Sequence, residues 1–393
     1  MKSLVTALTA FVLLFSSGLS AGHVFAAPAK LYTNAKGAAL IDVESGRILY
    51  SARGNERMRI ASLTKIMTAI VTIEHGNLSE AVKTSRRAAG KEGSSIYLKL
   101  GEEMSLHNML YGLMLRSGND AATAIAEHVG GTEEGFVFLM NQKAEELGLD
   151  QTHFMNPHGL DHDEHYSSPN DMARLTAYAL RNPTFREIVK TKVKSAPNPN
   201  EAWDYKWYNK NKMLSMYEGA DGVKTGYTKL AFRCLVSSAT RDGQQLAAVT
   251  LNDGDDWNDH RKMLDWGFAH YPLETVIKKG QKLTTVAART AFRYPLAQGE
   301  KSRLTAKLVR RPAQDVRYTL GDAGVINISL DGKLIGSIPV KALAAAPSNT
   351  SAKPDPDRSS SEPEDIEIGS SSDSWINAVR AVFGVLFGRK EAA

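Results

Sequence analysis

Three short groups of residues in this chain could do chemistry together. Ser62-Leu63-Thr64-Lys65 sets a hydroxyl and an amine three residues apart, on one face of a helix and within reach of each other. A serine hydroxyl is a weak nucleophile until a base takes its proton, and a lysine can be that base only where burial or a neighbouring cation disfavours its charged form. Ser117-Gly118-Asn119 offers a second hydroxyl and an amide. Taken alone it is also what a helix N-cap looks like, since Ser and Asn are favoured before a first turn. Lys224-Thr225-Gly226 adds a cation and a hydroxyl able to bind a carboxylate, with a glycine past which substrate backbone can run. An ordinary surface strand carries Lys and Thr as readily.

The elements that must hold these groups can be read from hydrophobic spacing. Ala38-Ala39-Leu40-Ile41-Asp42-Val43 and Arg47-Ile48-Leu49-Tyr50 surround Glu44-Ser45-Gly46 and predict a β-hairpin. From Ser62 onward Ile66, Ala69, Ile70 and Ile73 recur at helical spacing, so Ser62 or a neighbour starts a helix. Residues 106–115 and 121–129 predict two more helices flanking the polar break Arg116-Ser117-Gly118-Asn119-Asp120. Past residue 215 the pattern turns to strands over 222–227, 233–239 and 245–251, with a turn at Arg241-Asp242-Gly243, and a closing helix over 259–268. Helices held between such strands define an α+β catalytic domain, expected to occupy residues 27–272.

What lies outside that unit carries its own signals. Lys2, an apolar run over residues 4–19 and the small residues around Val24-Phe25-Ala26-Ala27 predict a signal peptide over residues 1–26 and an exported product. With Cys234 as its one cysteine the chain can form no internal disulfide, so stability rests on the core and Cys234 reads as a small buried apolar residue. Short alternating runs with Gly/Asp turns predict a small β-sandwich-like domain over residues 273–346. Residues 347–374, rich in Ser, Pro, Asp and Glu, predict a disordered linker. Trp375, Ile376, Val379, Val382, Phe383, Leu386 and Phe387 then fall on one stripe, predicting an amphipathic helix over 375–390 that lies on a membrane surface, being too short to cross it. The competing expectation is a helix docked on the protein itself. A net charge of +5 without a Lys/Arg block argues against nucleic acid as a partner.

Order and spacing give the three groups their weight: Ser-x-x-Lys, 55 residues later Ser-x-Asn, then 107 later Lys-Thr-Gly on a strand. This is the motif set of penicillin-binding proteins and class A β-lactamases. The chain resembles the serine D-alanyl-D-alanine carboxypeptidases, the low-molecular-mass penicillin-binding proteins of peptidase family S11, over roughly residues 30–270. Arg59-Ile60-Ala61, Met114-Leu115-Arg116, Asn156-Pro157-His158-Gly159-Leu160-Asp161 and Tyr227-Thr228 are similar to that family's text, and Asp256-Trp257-Asn258-Asp259-His260 is similar to its sporulation-associated branch in Gram-positive spore formers. The resemblance implies a β-lactamase/transpeptidase-like catalytic domain. It implies Ser62 as acyl-ester nucleophile, Lys65 as general base, Ser117 with Lys224 as proton relay, and Asn119 holding the substrate amide. Lys224, Thr225, Gly226 and Tyr227 would bind substrate, with the N–H groups of Ser62 and Tyr227 as oxyanion hole. The implied partners are a peptidoglycan stem peptide ending in D-Ala-D-Ala and β-lactams as covalent inhibitors, at the outer face of the cytoplasmic membrane and without cofactor or metal.

Two rival chemistries leave traces in the sequence. A β-lactamase needs a deacylating glutamate in the loop after Ser-x-Asn, where this chain has Asp161, Asp163 and Glu164 inside carboxypeptidase-like text. A zinc enzyme is suggested by His153, His158, Asp161, His162, Asp163 and His165 crowding one segment, but their spacing does not fit a helical His-Glu-x-x-His site. The histidines are expected to shape a loop near the cleft.

Overall fold

A computed structural model describes residues 28–312, 314–343 and 364–366. The expected signal peptide and amphipathic helix, and most of the expected linker, lie outside the described residues. The centre is a five-stranded antiparallel sheet of β1 (Gly37–Asp42), β2 (Ile48–Ala52), β3 (Ala220–Thr228), β4 (Phe232–Arg241) and β5 (Gln244–Leu251), in the order β2-β1-β5-β4-β3. The amino-terminal hairpin is thus inserted beside the last strand of the unit, with Ala38 opposite Thr250 and Leu40 opposite Ala248. Because β1 and β5 are covered on both faces, their text is a continuous apolar run rather than an alternation.

Alternate residues feed two cores. Ala39, Ile41, Ala247 and Val249 face a large helical layer, while Ala38, Leu40, Leu246 and Ala248 face Met263 and Leu264. The helical layer contains α1 (Lys65–His75), α2 (Asn119–Gly130) and α3 (Pro169–Arg181), and α4 (Asp256–His270) covers the other face. Helix α1 is buried from Lys65 to Thr72, polar residues included, so it runs through the domain rather than along its surface. Its threonines satisfy themselves on carbonyls, Thr72 on Thr68 at 2.6 Å and Thr68 on Pro157 at 2.6 Å.

The segment after α4 builds a second sheet with a core of its own. Its order is Lys282–Leu283, Val286–Ala288, Lys333–Ala342, Gly324–Leu330, Leu304–Arg310 and Glu364–Ile366. A two-stranded ribbon of Leu273–Ile277 and Phe292–Pro295 shares that core through Val276, Ile277 and Tyr294. The edge strand Glu364–Ile366 falls inside the segment read as a linker. Ile366, flanked by Asp365 and Glu367, is buried opposite Ala306, and Glu364 pairs with Arg310 at 2.9 Å. The two sheets are joined by Arg47 in the β1–β2 turn, whose guanidinium binds both oxygens of Glu300 (2.7 and 2.6 Å) and the Pro295 carbonyl (2.7 Å) and lies over the rings of Tyr271 and Tyr294.

Candidate active site

The nucleophile candidate sits where a short 3-10 turn, Ala61–Thr64, feeds α1. Ser62 is half-buried, while Lys65 at the head of the helix is completely buried. Its Nζ lies 2.6 Å from the carbonyl oxygen of His158, 2.7 Å from Asn119 Oδ1 and 3.1 Å from Ser62 Oγ. These three partners are all neutral. Burial holds the Lys65 ammonium well below the usual lysine range, and the charges of Lys224 and Lys210 push the same way against a smaller opposing pull from Asp120. A neutral amine has two hydrogens and one lone pair. The carbonyls of His158 and Asn119 take the hydrogens, which leaves the lone pair for the Ser62 hydroxyl.

Asn119 reaches Lys65 because no side chain of Ser117-Gly118-Asn119 is spent on capping the helix that follows. Residues Gly112–Arg116 form a π turn, Ser117 is left-handed (φ 65°), and α2 starts at Asn119 with Gly118 as a cap residue that makes no side-chain bond. The helix therefore begins earlier than its apolar spacing suggested. Asn119 Nδ2 donates to Glu92 O at 2.7 Å, and the neighbouring Asp120 carboxylate accepts from Ser95 Oγ and from the N–H groups of Ile96 and Leu98, tying loop 92–98 to the cleft wall. Ser117 Oγ is buried and, among the described residues, without a hydrogen-bond partner. A left-handed non-glycine residue with an orphaned hydroxyl is an arrangement that folding alone does not favour.

The third group comes from β3. Lys224 is buried, and burial first, then Lys210, pulls its pKa down to about 7. Its Nζ donates to Thr225 O at 2.7 Å rather than to Ser117 or Ser62, so the expected Ser117–Lys224 relay has no direct bond here. Gly226 lies against the nucleophile's backbone: a Cβ there would stand 3.1 Å from Ser62 N and 3.3 Å from Ile60 O. Tyr227 is exposed at the rim. Sequence reading missed Lys210, whose Nζ donates to Ser94 Oγ at 3.1 Å and whose charge acts on both buried lysines. A single lysine in a connecting segment carries no motif that would have marked it.

The histidine-rich segment forms the floor of this site. Asn156 Oδ1 accepts from Gly159 N (2.7 Å) and His158 N (3.3 Å), which shapes the turn that aims the His158 carbonyl at Lys65. His158 Nδ1 accepts from Leu160 N, His153 Nδ1 bonds Glu164 O, and His165 bonds Thr64. Burial lowers His158 to about 4 and His165 to about 3, so both rings are neutral. Asp161 accepts from Thr228 Oγ1 at 3.0 Å and Asp163 pairs with Arg59 at 2.8 Å, closing the segment onto the strand that carries Lys-Thr-Gly. His153 and His165 are spent on backbone groups or a hydroxyl, His158 Nε2 lies 3.6 Å from Glu133 Oε1, and among the described residues no group of three or more His, Cys, Asp or Glu side chains could hold a metal ion. Cys234, opposite Gly226 in the sheet, is buried, and its thiol is pushed up to about 12.

A buried amine aimed at a serine hydroxyl, at the end of an antiparallel sheet within a helical layer, defines a protein equipped for nucleophilic attack on a carbonyl. The family model described as D-alanyl-D-alanine carboxypeptidase, Peptidase S11, matches residues 24–255, and the chain belongs to that family. It is 39% identical over 270 residues to D-alanyl-D-alanine carboxypeptidase DacF of Bacillus subtilis, covering 66% of this chain and 69% of that one. With DacC of Escherichia coli the identity is 31% over 351 residues, 84% of this chain and 85% of the other. Among solved structures it is similar to the D-alanyl-D-alanine carboxypeptidase DacD from Francisella tularensis (TM-score 0.64, 26% identity, 84% and 97% covered). It is also similar to a mutant of a Streptomyces DD-transpeptidase (TM-score 0.58, 34% identity, 61% and 100% covered).

Proposed function

We propose that this protein is a serine DD-carboxypeptidase that removes the terminal D-alanine from peptidoglycan stem pentapeptides through an acyl-enzyme on Ser62. The observation that carries the reading is the three-way setting of Lys65 Nζ, with two carbonyl acceptors and the Ser62 hydroxyl at 3.1 Å. Neutral Lys65 takes the Ser62 proton as Oγ attacks the carbonyl between the two D-alanines. The N–H groups of Ser62 and Tyr227 receive the oxyanion, a contribution of about 2.7–4 kcal/mol per donor in enzymes where one has been removed. Ser117 and Lys224 pass a proton to the leaving D-alanine, with substrate bridging the gap between them. Asn119 keeps one Nδ2 hydrogen free for the substrate's amide backbone, and Lys224 and Thr225 bind the terminal carboxylate. Water then releases the shortened peptide.

A β-lactam acylates Ser62 by the same steps and leaves slowly. Of the acids in the segment after Ser-x-Asn, Asp161 accepts from Thr228 and Asp163 pairs with Arg59. Mass spectrometry of a synthetic pentapeptide ending in D-Ala-D-Ala, with Ser62→Ala as control, tests the reaction. Loss of one alanine with wild type only is expected; an unchanged peptide under conditions that label Ser62 with penicillin would sink it.

The same proposal places the enzyme outside the cytoplasm, exported by residues 1–26 and held at the outer face of the membrane by residues 375–390, maturing cell-wall or spore-cortex peptidoglycan. Among the described residues no helix is long and apolar enough to cross a membrane. Cell fractionation after deletion of residues 375–393 is expected to move the protein from the membrane to the soluble fraction, and an unchanged distribution would remove the tether.

A further inference from the structure

Ala61, the residue before the nucleophile, has φ +47°, in the left-handed region that a residue with a Cβ disfavours. Something must hold it there. Its carbonyl accepts from Thr64 Oγ1 at 2.9 Å, and Thr64 Oγ1 lies 2.7 Å from His165 Nε2, all three groups being buried. His165 Nδ1 accepts from Met155 N at 3.0 Å, which leaves the ring proton on Nε2, and the neutral ring is packed edge-on against Phe154. Nε2–H therefore donates to Thr64 Oγ1, and the Thr64 hydrogen is committed to the Ala61 carbonyl. Gly159 makes room for this: a Cβ there would stand 1.9 Å from Ala61 O and 2.9 Å from Thr64 Oγ1.

The Ala61 carbonyl and the Ser62 N–H belong to one rigid peptide plane, so whatever orients the first orients the second. We infer that His165 is a positioning residue for the oxyanion-stabilising N–H of Ser62, acting through Thr64 and the carbonyl of Ala61. The inference rests on the reading of Ser62 as nucleophile and its N–H as an oxyanion donor. It gives one member of the histidine cluster a task that touches neither substrate nor the proton-transfer groups. It also separates the orientation of the acceptor hole from the basicity of Lys65, which a different set of bonds controls.

The test is stopped-flow acylation of the full chain by a fluorescent penicillin, which separates the first-order acylation constant from the dissociation constant of the initial complex. Thr64→Val and His165→Phe each break the chain of bonds. Both are expected to lower the acylation constant by about tenfold or more, since an oxyanion donor acts on the transition state. The dissociation constant should stay within about twofold and the inflections of the pH profile should not move. Thr64→Ser and His165→Gln, which restore a hydroxyl and a planar acceptor–donor pair, are expected to return acylation to within about threefold of wild type. The double variant Thr64→Val/His165→Phe should be no slower than the slower single one. A merely structural role would reduce the fraction of molecules that label without slowing those that do. An acylation constant within about twofold of wild type in Thr64→Val, or multiplying effects in the double variant, would overturn the inference. Should Thr64→Val not fold, His165→Phe against His165→Gln makes the same decision. Failure of wild type to label, or labelling of Ser62→Ala, would instead defeat the proposed function.

Discussion

The backbone carbonyl of His158 accepts from Lys65 Nζ at 2.6 Å, so the amine is held by an acceptor that no side-chain substitution can remove. The carbonyl's aim depends on Asn156, which caps the turn with three bonds of its own, to His158 N, Gly159 N and Leu160 O. Asn156→Ala is expected to let that turn relax and release one of the two hydrogen anchors of Lys65. Acylation by penicillin should fall by about tenfold or more, as for small misplacements in other active sites. Measured rates equal to wild type would show that His158 does not orient the base.

Asn119→Asp tests the charge state of that base. It puts a carboxylate where a neutral amide lies 2.7 Å from Lys65 Nζ. An opposite charge at that distance favours the ammonium by roughly 1–3 pKa units in comparable pairs, so acylation at neutral pH should fall by about tenfold or more. The sign predicts its own recovery: the acid limb of the pH–rate profile moves to higher pH, and raising the pH restores part of the rate. A uniform loss at every pH would count against Lys65 as the base.

Lys224 gives a prediction about stability. Its folded pKa is lowered from the usual 10.5 to about 7, so between those values the unfolded chain binds a proton that the folded protein does not. Unfolding free energy therefore rises with pH across that window. Lys224→Met removes the group, and the gain in urea resistance across the same window should shrink. It should not vanish, because Lys65 is lowered in the same direction. An unchanged gain would mean that Lys224 is not desolvated.

Gly226→Ala probes the close approach of β3. The new Cβ would stand 3.1 Å from Ser62 N and 3.3 Å from Ala61 Cβ, so strand and nucleophile must part by a few tenths of an ångström. The expected result is acylation slower by about tenfold with little change in melting temperature. A variant that labels at the wild-type rate would show that the contact has slack.

These relationships explain which parts of the site could be read in advance. The meeting of Ser62, Lys65 and Asn119, and Lys224 as a further candidate, could be anticipated because the proposed chemistry calls for those types and the elements fix their spacing. The amino-terminal hairpin and the three later strands were legible from apolar runs, and α1 from its period. The pairing of β1 with β5 was not, because strand order is set by contacts between Gly37–Asp42 and a strand that ends at Leu251, far apart in the chain and without a local mark. The start of α2 was missed because Ser117 and Gly118 look like a cap, while Asn119 and Asp120 spend their side chains on Lys65 and loop 92–98. Backbone acceptors such as His158 O carry no residue-type signal, and Lys210 acts by charge from a segment without pattern.

The junction of the two sheets is predicted to be stabilising and catalytically silent. Arg47 is half-buried among Glu300, Pro295 O and two tyrosine rings, and Glu300 has Ala297 N and Arg303 besides. Arg47→Ala leaves the Glu300 carboxylate in a mostly apolar junction without its bidentate partner, a change expected to cost about 3 kcal/mol. Arg47 lies in the turn after β1, whereas Gly226 and Ser62 align with the opposite end of the sheet, where Gly37 pairs with Leu251 and Leu251 with Cys234. The length of β1, about 17 Å at the usual rise, lies between. Calorimetry of Arg47→Ala should therefore show a lower or split transition as the C-terminal sheet loosens, while the acylation constant of the folded protein stays at the wild-type value. A matching fall in acylation would mean that the junction supports the nucleophile through β1, and a transition unchanged in midpoint and shape would show that the ion pair does not hold the two sheets together.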